Sequence, residues 1–405
     1  MKTKLSIFTV LLVSAAGMSN VLAEEKAGMI TTESGVDFIP ALNAGIKYDD
    51  NIASSRTDEE DSWILTVAPA VKAQMLDGNN IYSFDAGIEY GDYFESNDDN
   101  YLDALLRARA EVELNQANRF NLMALYSYNH EARGTGILDF GFDLGLQQEP
   151  ATYNLYQGGG YYEYGAKSTP ARVRVNGLYE AKEYTNFDDI NYFTDIAKYR
   201  NKDNIKLGAT VYYDTRATTS IFLDYQNIQT AYDVIDPSGD RDSDTQNLKL
   251  GVEWEATSTT EGSIKVGYQK KTFDNQERED FSGVAWDAKL TWKPLTYSQF
   301  DFSTGSGSKD PDTFGDYVRE TTYGVKWNHD WSDLFGTTLG YDRIQDDYTG
   351  FEREDTTNVY RVSFNFEVLR WMTLKAGVDI SDKTSIQERF DYNRNIYFIT
   401  AEMTL

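Results

Sequence analysis

Apolar and polar residues alternate along most of this chain, in runs that are interrupted by clusters of Gly, Asn, Asp and Ser. The run at 357–368 shows the pattern clearly. Tyr360, Val362 and Phe364 fall on one parity, and Arg361 and Asn365 fall on the other. Successive side chains of a β-strand point to opposite faces, so each run predicts a strand with one apolar face and one polar face.

The pattern predicts about 18 strands, an even number, which places both ends of the chain on one side of a closed barrel. Most of them are longer than the ~5–6 residues that are usual in soluble sheets. The predicted strands are 36–49, 62–74, 80–93, 102–115, 119–130, 153–165, 171–184, 203–214, 218–230, 244–256, 261–273, 282–293, 297–306, 317–329, 336–347, 357–368, 371–381 and 392–405.

Connections between these strands alternate between short and long. Short ones, such as 77–80 and 115–118, are followed by long ones, such as 50–61 and 131–151. Outer-membrane barrels have short periplasmic turns and long external loops, whereas a soluble sandwich has no reason to keep this order. The sequence therefore predicts an all-β fold, a transmembrane antiparallel up-and-down β-barrel with long acidic extracellular loops.

The N-terminus predicts export. Lys2 and Lys4 precede the apolar run 5–13, and small residues lead to a cleavage site after Ala23, as in a signal peptide. We therefore expect a signal peptide at 1–23 and a single barrel domain at 24–405 in the outer membrane of a Gram-negative cell. No later run reaches the ~18 apolar residues of a transmembrane helix. The chain has no cysteine, so no disulfide is expected.

The chain's net charge of −27 argues against nucleic acid as a partner. No metal site or cofactor is predicted: Asp240, Asp242 and Asp244 begin like a calcium loop, but Thr245 and Gly251 stand where Gly and Glu are required. The only histidines are His130 and His329, and no G-x-S-x-G motif occurs, so no enzymatic activity is expected. The expected partners are outer-membrane lipid and lipopolysaccharide, and the oligomeric state is left open.

If the more apolar parity faces lipid, a set of cations faces the lumen. These candidate pore-lining residues are Arg107, Arg109, Arg172, Arg174, Lys206, Lys249, Lys265, Lys289, Lys326, Arg361 and Lys375. One interpretation is a channel whose cations attract an anionic solute. The other is a lattice of opposite charges that only fills and hydrates the lumen.

The long connection 131–151 is a candidate plug. It combines glycines with aromatic residues, which would let it fold back into the mouth of the barrel and contact sugar rings. The residues that suggest this are Arg133, Gly134, Gly136, Phe140 and Phe142. The alternative is an ordinary external surface loop.

Two segments resemble the putative β-barrel porin 2 family. YDDNI at 48–52 followed by DSWI at 61–64 and VAP at 67–69 is similar to the opening of the family, and YNHEARGTG at 128–136 is similar to a stretch near its large early loop. Leu405 departs from the aromatic residue that commonly ends outer-membrane barrels.

The resemblance implies an outer-membrane barrel that exports an exopolysaccharide or capsular polysaccharide. It also implies that the polysaccharide and a periplasmic polysaccharide-export protein are partners. The alternatives are a diffusion porin for small solutes and a non-conducting structural or adhesive surface barrel. The resemblance brings no catalytic residues with it.

Overall fold

The computed structural model describes residues 28–140, 149–166, 168–187, 196–215, 218–257 and 259–404. The predicted signal peptide, Phe142 and Leu405 lie outside these residues. The strands are β1 Ile30–Thr31, β2 Val36–Asp49, β3 Ser62–Asp77, β4 Asn80–Tyr93, β5 Tyr101–Asn115, β6 Asn118–Glu131, β7 Ala151–Tyr164, β8 Ala171–Tyr184, β9 Lys202–Asp214, β10 Thr219–Tyr232, β11 Ser243–Thr257, β12 Thr260–Phe273, β13 Phe281–Leu295, β14 Ser298–Lys309, β15 Tyr317–Ser332, β16 Phe335–Thr349, β17 Glu354–Leu369, β18 Met372–Ser385 and β19 Tyr392–Thr404.

Strands β2 to β19 form one closed antiparallel sheet. Each strand pairs with the next along the chain, and β19 returns to pair with β2, where Tyr397 lies opposite Tyr48. Closure gives every strand two neighbours, so no long edge is left with unpaired backbone groups. The prediction of an 18-stranded up-and-down barrel is confirmed.

The short strand β1 is an addition that the periodicity did not predict. It pairs with the start of β2, with Ile30 opposite Phe38. The pairing of β19 with β2 ends at Ala41, opposite Thr404, so β1 continues the ladder along the part of β2 that β19 does not reach. Two residues are too few to show an alternating pattern, which is why this strand could not be identified from sequence.

The outer face of the barrel is apolar. On β11 and β12 the outward side chains include Leu248, Leu250, Ile264 and Val266, each at least half exposed. So many exposed aliphatic residues would be costly in water, but they match the hydrocarbon layer of a membrane. The opposite parity carries polar and charged side chains into the lumen. No helix among the described residues is long and apolar enough to cross a membrane.

Long and short connections lie at opposite ends of the barrel. The long ones are 50–61, 94–100, 132–150, 185–201, 233–242, 274–280, 310–316 and 386–391. The same end also carries the connection 350–353, which is an exception because it has only four residues. The short ones are 78–79, 116–117, 165–170, 215–218, 258–259, 296–297, 333–334 and 370–371. By the rule for outer-membrane barrels, the long loops face outwards and the short turns face the periplasm.

The seam between β2 and β19 carries an ion pair at its outer end. The guanidinium of Arg394 donates to both carboxylate oxygens of Asp49 at 3.0 Å, and Asp49 is 1% exposed. Asn51 adds a bond from its side-chain amide to the carbonyl of Asn393 at 2.8 Å. Nearby, Arg56 pairs with Glu388 at 2.7 Å, but both side chains are exposed.

We predict that Arg394→Ala destabilises the barrel by about 3 kcal/mol, because it leaves the buried carboxylate of Asp49 without its cation. The measurement is urea unfolding in detergent or lipid, followed by the loss of the heat-modifiable band on a gel. Arg56→Ala is the matched control at the same seam, and it should cost less than about 1 kcal/mol because its pair is exposed. Equal losses in the two variants would contradict this account.

Candidate functional site

The lumen contains two large cavities. The first has a volume of about 1910 Å³ and reaches from Thr215 and Thr218 in a periplasmic turn to Asp139 and Asp312 in the external loops. The second has a volume of about 2270 Å³ and lies mainly among β13 to β19, towards their periplasmic ends. Lys289 lines both cavities, so the two meet inside the barrel.

All eleven predicted cations lie on the polar parity of their strands. Nine of them line the cavities: Arg172, Arg174, Lys206, Lys249, Lys265, Lys289, Lys326, Arg361 and Lys375. The other two, Arg107 and Arg109, lie on β5 beside Asp85, which is 3% exposed.

Seven of the eleven cations have a carboxylate partner. Arg107 and Arg109 pair with Asp85, Arg172 with Glu163, Asp214 and Glu253, Arg174 with Glu163, Lys206 with Glu180, Lys265 with Asp224, and Arg361 with Asp342. Most of these pairs bridge neighbouring strands, whereas Lys265 of β12 reaches Asp224 of β10 and Arg172 of β8 reaches Glu253 of β11. Together they neutralise most of the charge of the predicted cations. A large part of the lumen is therefore a lattice of opposite charges.

The two arginines of β8 belong firmly to this lattice. Arg174 donates to Glu163 at 2.6 Å, and its guanidinium lies 4.3 Å from the centre of the Tyr161 ring. Arg172 donates to Asp214 and lies 4.5 Å from the ring of Tyr212. Their hydrogen-bonding groups and faces are occupied by the wall itself, so neither is well placed to receive a solute.

The other four predicted cations are different. Within the described part of the chain, Lys249, Lys289, Lys326 and Lys375 have no carboxylate at ion-pair distance. The nearest strand partner of Lys326 is Asp301, which instead accepts bonds from Thr291 at 2.7 Å and from the amide of Gln299. Among the predicted cations, these four ammonium groups are the ones available to a solute. Lys47 of β2, which the sequence prediction did not include, also lines the second cavity without an ion pair in the described residues, as do the carboxylates of Asp287 and Asp379 in the two cavities.

The loop 132–150 turns into the barrel over its described part. Ile137 and Leu138 are 0% exposed and Phe140 is 3% exposed. They belong to one apolar cluster with wall residues such as Leu105 and Leu125, which point into the lumen. The cluster explains the direction of the loop, because burying these three side chains against the wall removes their apolar surface from water.

The predicted plug residues contribute to this arrangement in different ways. Arg133 anchors the base of the loop by donating to Asp99 at 2.7 Å and to Glu60 at 2.6 Å, and it thereby joins three loops. Phe140 reaches Phe314 of the loop 310–316, with ring centres 5.9 Å apart. Sequence reasoning missed Ile137, Leu138 and Asp139, although an adjacent pair of aliphatic residues in an external loop is a signal of burial that the sequence contains.

Gly134 and Gly136 are required by the backbone. Both have positive φ, +69° and +55°, a conformation that costs other residues about 1–2 kcal/mol. A Cβ atom on Gly134 would lie 1.9 Å from the carbonyl oxygen of Ala53, and one on Gly136 would lie 1.9 Å from the carboxylate of Glu131. The loop therefore docks against loop 50–61 only with glycine at position 134.

The described part of the loop is tied to the far wall of the barrel through Asp139. The carboxylate of Asp139 accepts from Arg353 at 2.6 Å and from Lys383 at 3.0 Å. Arg353 is 1% exposed, and its guanidinium lies 3.6 Å from the centre of the Phe390 ring. Asp355 also accepts from Arg353 at 2.6 Å and fixes its orientation.

Three buried arginines join the loops on the other side of the mouth. Arg200 and Arg241 both donate to Asp236, at 2.7 and 3.1 Å. Arg278 donates to the carbonyl of Asp240 at 2.6 Å and to Asp316 at 2.8 Å. Burial alone would raise the pKa of Asp236, but bonds from Ser238 and the charges of the arginines outweigh it and hold that pKa well below its usual range.

Asp310 holds the start of the loop 310–316. Its carboxylate pairs with Lys202 at 2.6 Å and also with Lys271. Burial disfavours the charged form, yet the two ammonium groups dominate and keep the pKa of Asp310 well below its usual range. Within the described ranges, no group of three or more His, Asp or Glu side chains is arranged to hold a metal ion.

Comparison with known proteins gives one family and several structures. The family model described as Putative beta-barrel porin 2 matches residues 37–404. A search of curated proteins finds no match.

Three solved structures that this chain is similar to are transporters or porins. The first is the FrpB iron transporter from Neisseria meningitidis (F3-3 variant), with 11% identity, TM-score 0.47, and coverage of 92% of this chain and 64% of that one. The second is OccK2 (OpdF) from Pseudomonas aeruginosa in complex with glucuronate, with 8% identity, TM-score 0.49, and coverage of 91% and 98%. The third is a BenF-like porin from Pseudomonas fluorescens Pf-5, with 9% identity, TM-score 0.49, and coverage of 91% and 99%. This chain spans just under two thirds of the length of the FrpB transporter.

We predict that Gly134→Ala undocks the inward loop without unfolding the barrel. Arg133 is the only residue of 132–150 after which trypsin can cut, and this residue is 8% exposed. Undocking of the loop should therefore make the bond after Arg133 accessible to trypsin. Mass spectrometry of the fragments measures the cleavage. Gly78→Ala is the matched control, because Gly78 has a similar φ of +61° but nothing within 4 Å of its Cβ position. Continued resistance at Arg133 in Gly134→Ala would show that the close contact with Ala53 is not required.

We also predict that the external loops stay ordered in mild acid. The pKa values of Asp236 and Asp310 are lower in the folded loops than the ordinary 3.8, so their stabilising effect is fully present above that pH. This stabilisation is lost only as the pH falls further, through the pKa values that the two carboxyl groups have in the folded loops. Hydrogen–deuterium exchange of 310–316, corrected for intrinsic rates, measures this.

The matched variant for the acid experiment is Asp310→Asn, which removes one of the two carboxylates. It should lower the protection of 310–316 already at neutral pH. Loss of protection between pH 6 and pH 4 in the unmodified protein would contradict the assignment.

Proposed function

The chain belongs to the putative β-barrel porin 2 family, and from this membership we propose that it is an outer-membrane channel for an anionic hydrophilic solute. The solute class we propose is an acidic exopolysaccharide or capsular polysaccharide that leaves the cell. The observation that carries the proposal is the set of four lumen lysines, Lys249, Lys289, Lys326 and Lys375, that have no carboxylate partner in the described residues.

The position of these lysines supports a path along the barrel axis. Lys249, Lys289 and Lys326 lie near the middle of β11, β13 and β15, and Lys375 lies nearer the periplasmic end of β18. An unpaired ammonium group in a water-filled lumen with low-dielectric walls attracts anions more strongly than the same group on a surface. A chain with a net charge of −27 that keeps free cations in its lumen is therefore suited to an anionic solute.

A conduit needs several weak sites instead of one strong site, since a tightly bound solute would not leave. The lumen matches this requirement. The four lysines named above are spread over two joined cavities of about 1910 and 2270 Å³, and the guanidinium groups of Arg172 and Arg174 are occupied by Glu163. A polymer that carries a carboxylate on some of its sugars can pass from one lysine to the next. Such a polymer would be handed to the periplasmic end by a polysaccharide-export protein.

A diffusion porin for small solutes is the second candidate, and one observation favours it. The loop 132–140 occupies the outer part of the lumen, with Phe140 against Phe314, and it narrows the path that a polymer would need. Liposome swelling with neutral sugars of increasing size separates the two functions. A sharp cut-off at small sugars, with normal polysaccharide export in a deletion strain, would favour the porin.

We predict that Lys249→Gln, Lys289→Gln, Lys326→Gln and Lys375→Gln, combined in one variant, shift the channel towards cations. The reversal potential in a KCl gradient measures the selectivity of the pore. Block of the current by an acidic polysaccharide should weaken about tenfold, since several favourable interactions of ~1 kcal/mol or less are removed.

Lys270→Gln is the matched control for this experiment. Lys270 lies on the outward parity of β12, in line with Ile264, Val266 and Tyr268, so its loss should change neither selectivity nor block. An unchanged reversal potential and unchanged block in the folded fourfold variant would refute the lysine path.

A further inference from the structure

The contact between Asp139 and the opposite wall joins distant parts of the barrel. Asp139 follows β6, whereas Arg353 immediately precedes β17 and Lys383 lies in β18, 214 and 244 residues further along the chain. Strands β6 and β17 are seven strands apart by the shorter way around the sheet. A single carboxylate of the inward loop therefore bridges the outer part of the lumen.

The site that receives this carboxylate is held in place without it. Asp355 binds the guanidinium of Arg353 at 2.6 Å and approaches the ammonium of Lys383 at 3.2 Å. The rings of Phe390 and Tyr348 lie 3.6 and 4.7 Å from the guanidinium. The guanidinium of Arg353 is thus oriented by residues of the wall. Bidentate recognition of a carboxylate requires a guanidinium that is oriented in this way.

The charges in direct contact show that the wall alone is incomplete. Arg353 and Lys383 carry two positive charges and Asp355 supplies one negative charge, so the wall has one cation in excess until Asp139 arrives. Arg353 and Asp355 are 1% and 4% exposed. An uncompensated charge in such a buried place is costly, so the wall has an affinity for an anion whichever molecule supplies it.

The site is also open to the lumen. Asp139 and Lys383 both line the first cavity, next to Tyr392 and Arg394. A solute in that cavity reaches the ammonium of Lys383 without crossing the apolar cluster around Ile137 and Leu138. It can therefore meet the same cations that hold the loop.

From this geometry we propose that Arg353 and Lys383 form a carboxylate-binding site which Asp139 fills in the resting channel, and that the carboxylate of an anionic solute competes with Asp139 for it. The inference rests on the proposed function, an anionic solute in the lumen. The loop carboxylate acts as an internal stand-in for the solute, and its displacement releases the tip of the loop from the far wall.

In the described part of the loop, the release concerns Asp139 and Phe140. Arg133 remains bound to Asp99 and Glu60 at the base of the loop, and Ile137 and Leu138 remain in the apolar cluster. Among the described residues of the loop, Asp139 and the contact of Phe140 with Phe314 lie across the lumen. The solute therefore widens the path that it needs while the barrel and the base of the loop keep their structure.

The test uses the full-length protein in planar bilayers, with oligogalacturonate as a carboxylated probe and maltooligosaccharide as a neutral one. In the unmodified channel, oligogalacturonate should raise the open probability several-fold when its brief blocks within an opening are counted as open, and the neutral probe should not. Asp139→Asn should be open without any probe. Glu277→Gln, at an exposed loop carboxylate that makes no contact with this site, should behave like the unmodified channel.

A binding measurement keeps the proposal testable apart from gating. Calorimetry should show glucuronate binding about tenfold more tightly to Asp139→Asn than to the unmodified protein, because the internal competitor is gone. Adding Lys383→Gln to that variant should remove the gain. Unchanged open probability and unchanged affinity in a folded Asp139→Asn variant would overturn the site.

The two proposals fail in different ways. If Asp139→Asn opens the channel and binds glucuronate more tightly but the pore shows no preference for anions in a KCl gradient, the site stands and the proposed function fails. If the pore is anion-selective but Asp139→Asn changes neither opening nor binding, the function stands and the site fails.

Discussion

The whole molecule depends on one constraint: inside a membrane, every backbone N–H and C=O group must find its partner within the protein. The pairing of β19 with β2 meets this constraint for the barrel, and β1 extends it to the start of β2. Once the ladder is closed, the alternation of side chains along each strand decides which residues face lipid and which face the lumen. One parity faces lipid and must be apolar, so the polar and charged side chains of the strands are directed into the lumen, where they form the site.

The interior shows how a closed lumen handles charge. Near Glu163, Arg172 and Arg174 are fixed by carboxylates and tyrosine rings, so they build the wall. Elsewhere, single lysines such as Lys249 and Lys326 stand apart from the lattice. At the outer end of the barrel, several arginines donate to carbonyl groups and carboxylates of neighbouring loops. The mouth is thus ordered largely by polar contacts, and burial of apolar surface orders the cluster around Ile137 and Leu138 and a smaller cluster of Ile52, Ile64 and Tyr93.

The sequence predicted the barrel because the governing signal is local. A strand with a period of two shows its faces within a few residues, and turn residues mark its ends. The same signal placed Lys249 and Arg172 on the lumen side but could not separate a free cation from a paired one, since Asp214 lies 42 residues from Arg172. The partners of Asp139 lie more than 200 residues away and follow no period, so the bridge across the mouth required the three-dimensional structure.

The ion pair at the seam between the first and last long strands also bears on the kinetics of assembly and unfolding. Asp49 and Arg394 are separated by 345 residues, so their contact has one of the longest loops to close in the chain. We expect it to form only when the final strand arrives, after the other strand pairs have assembled. An interaction made that late stabilises the finished barrel but not the transition state that leads to it, and it therefore slows unfolding while leaving the rate of assembly unchanged. The ion pair at the seam would then set how long a barrel lasts, not how fast it is made.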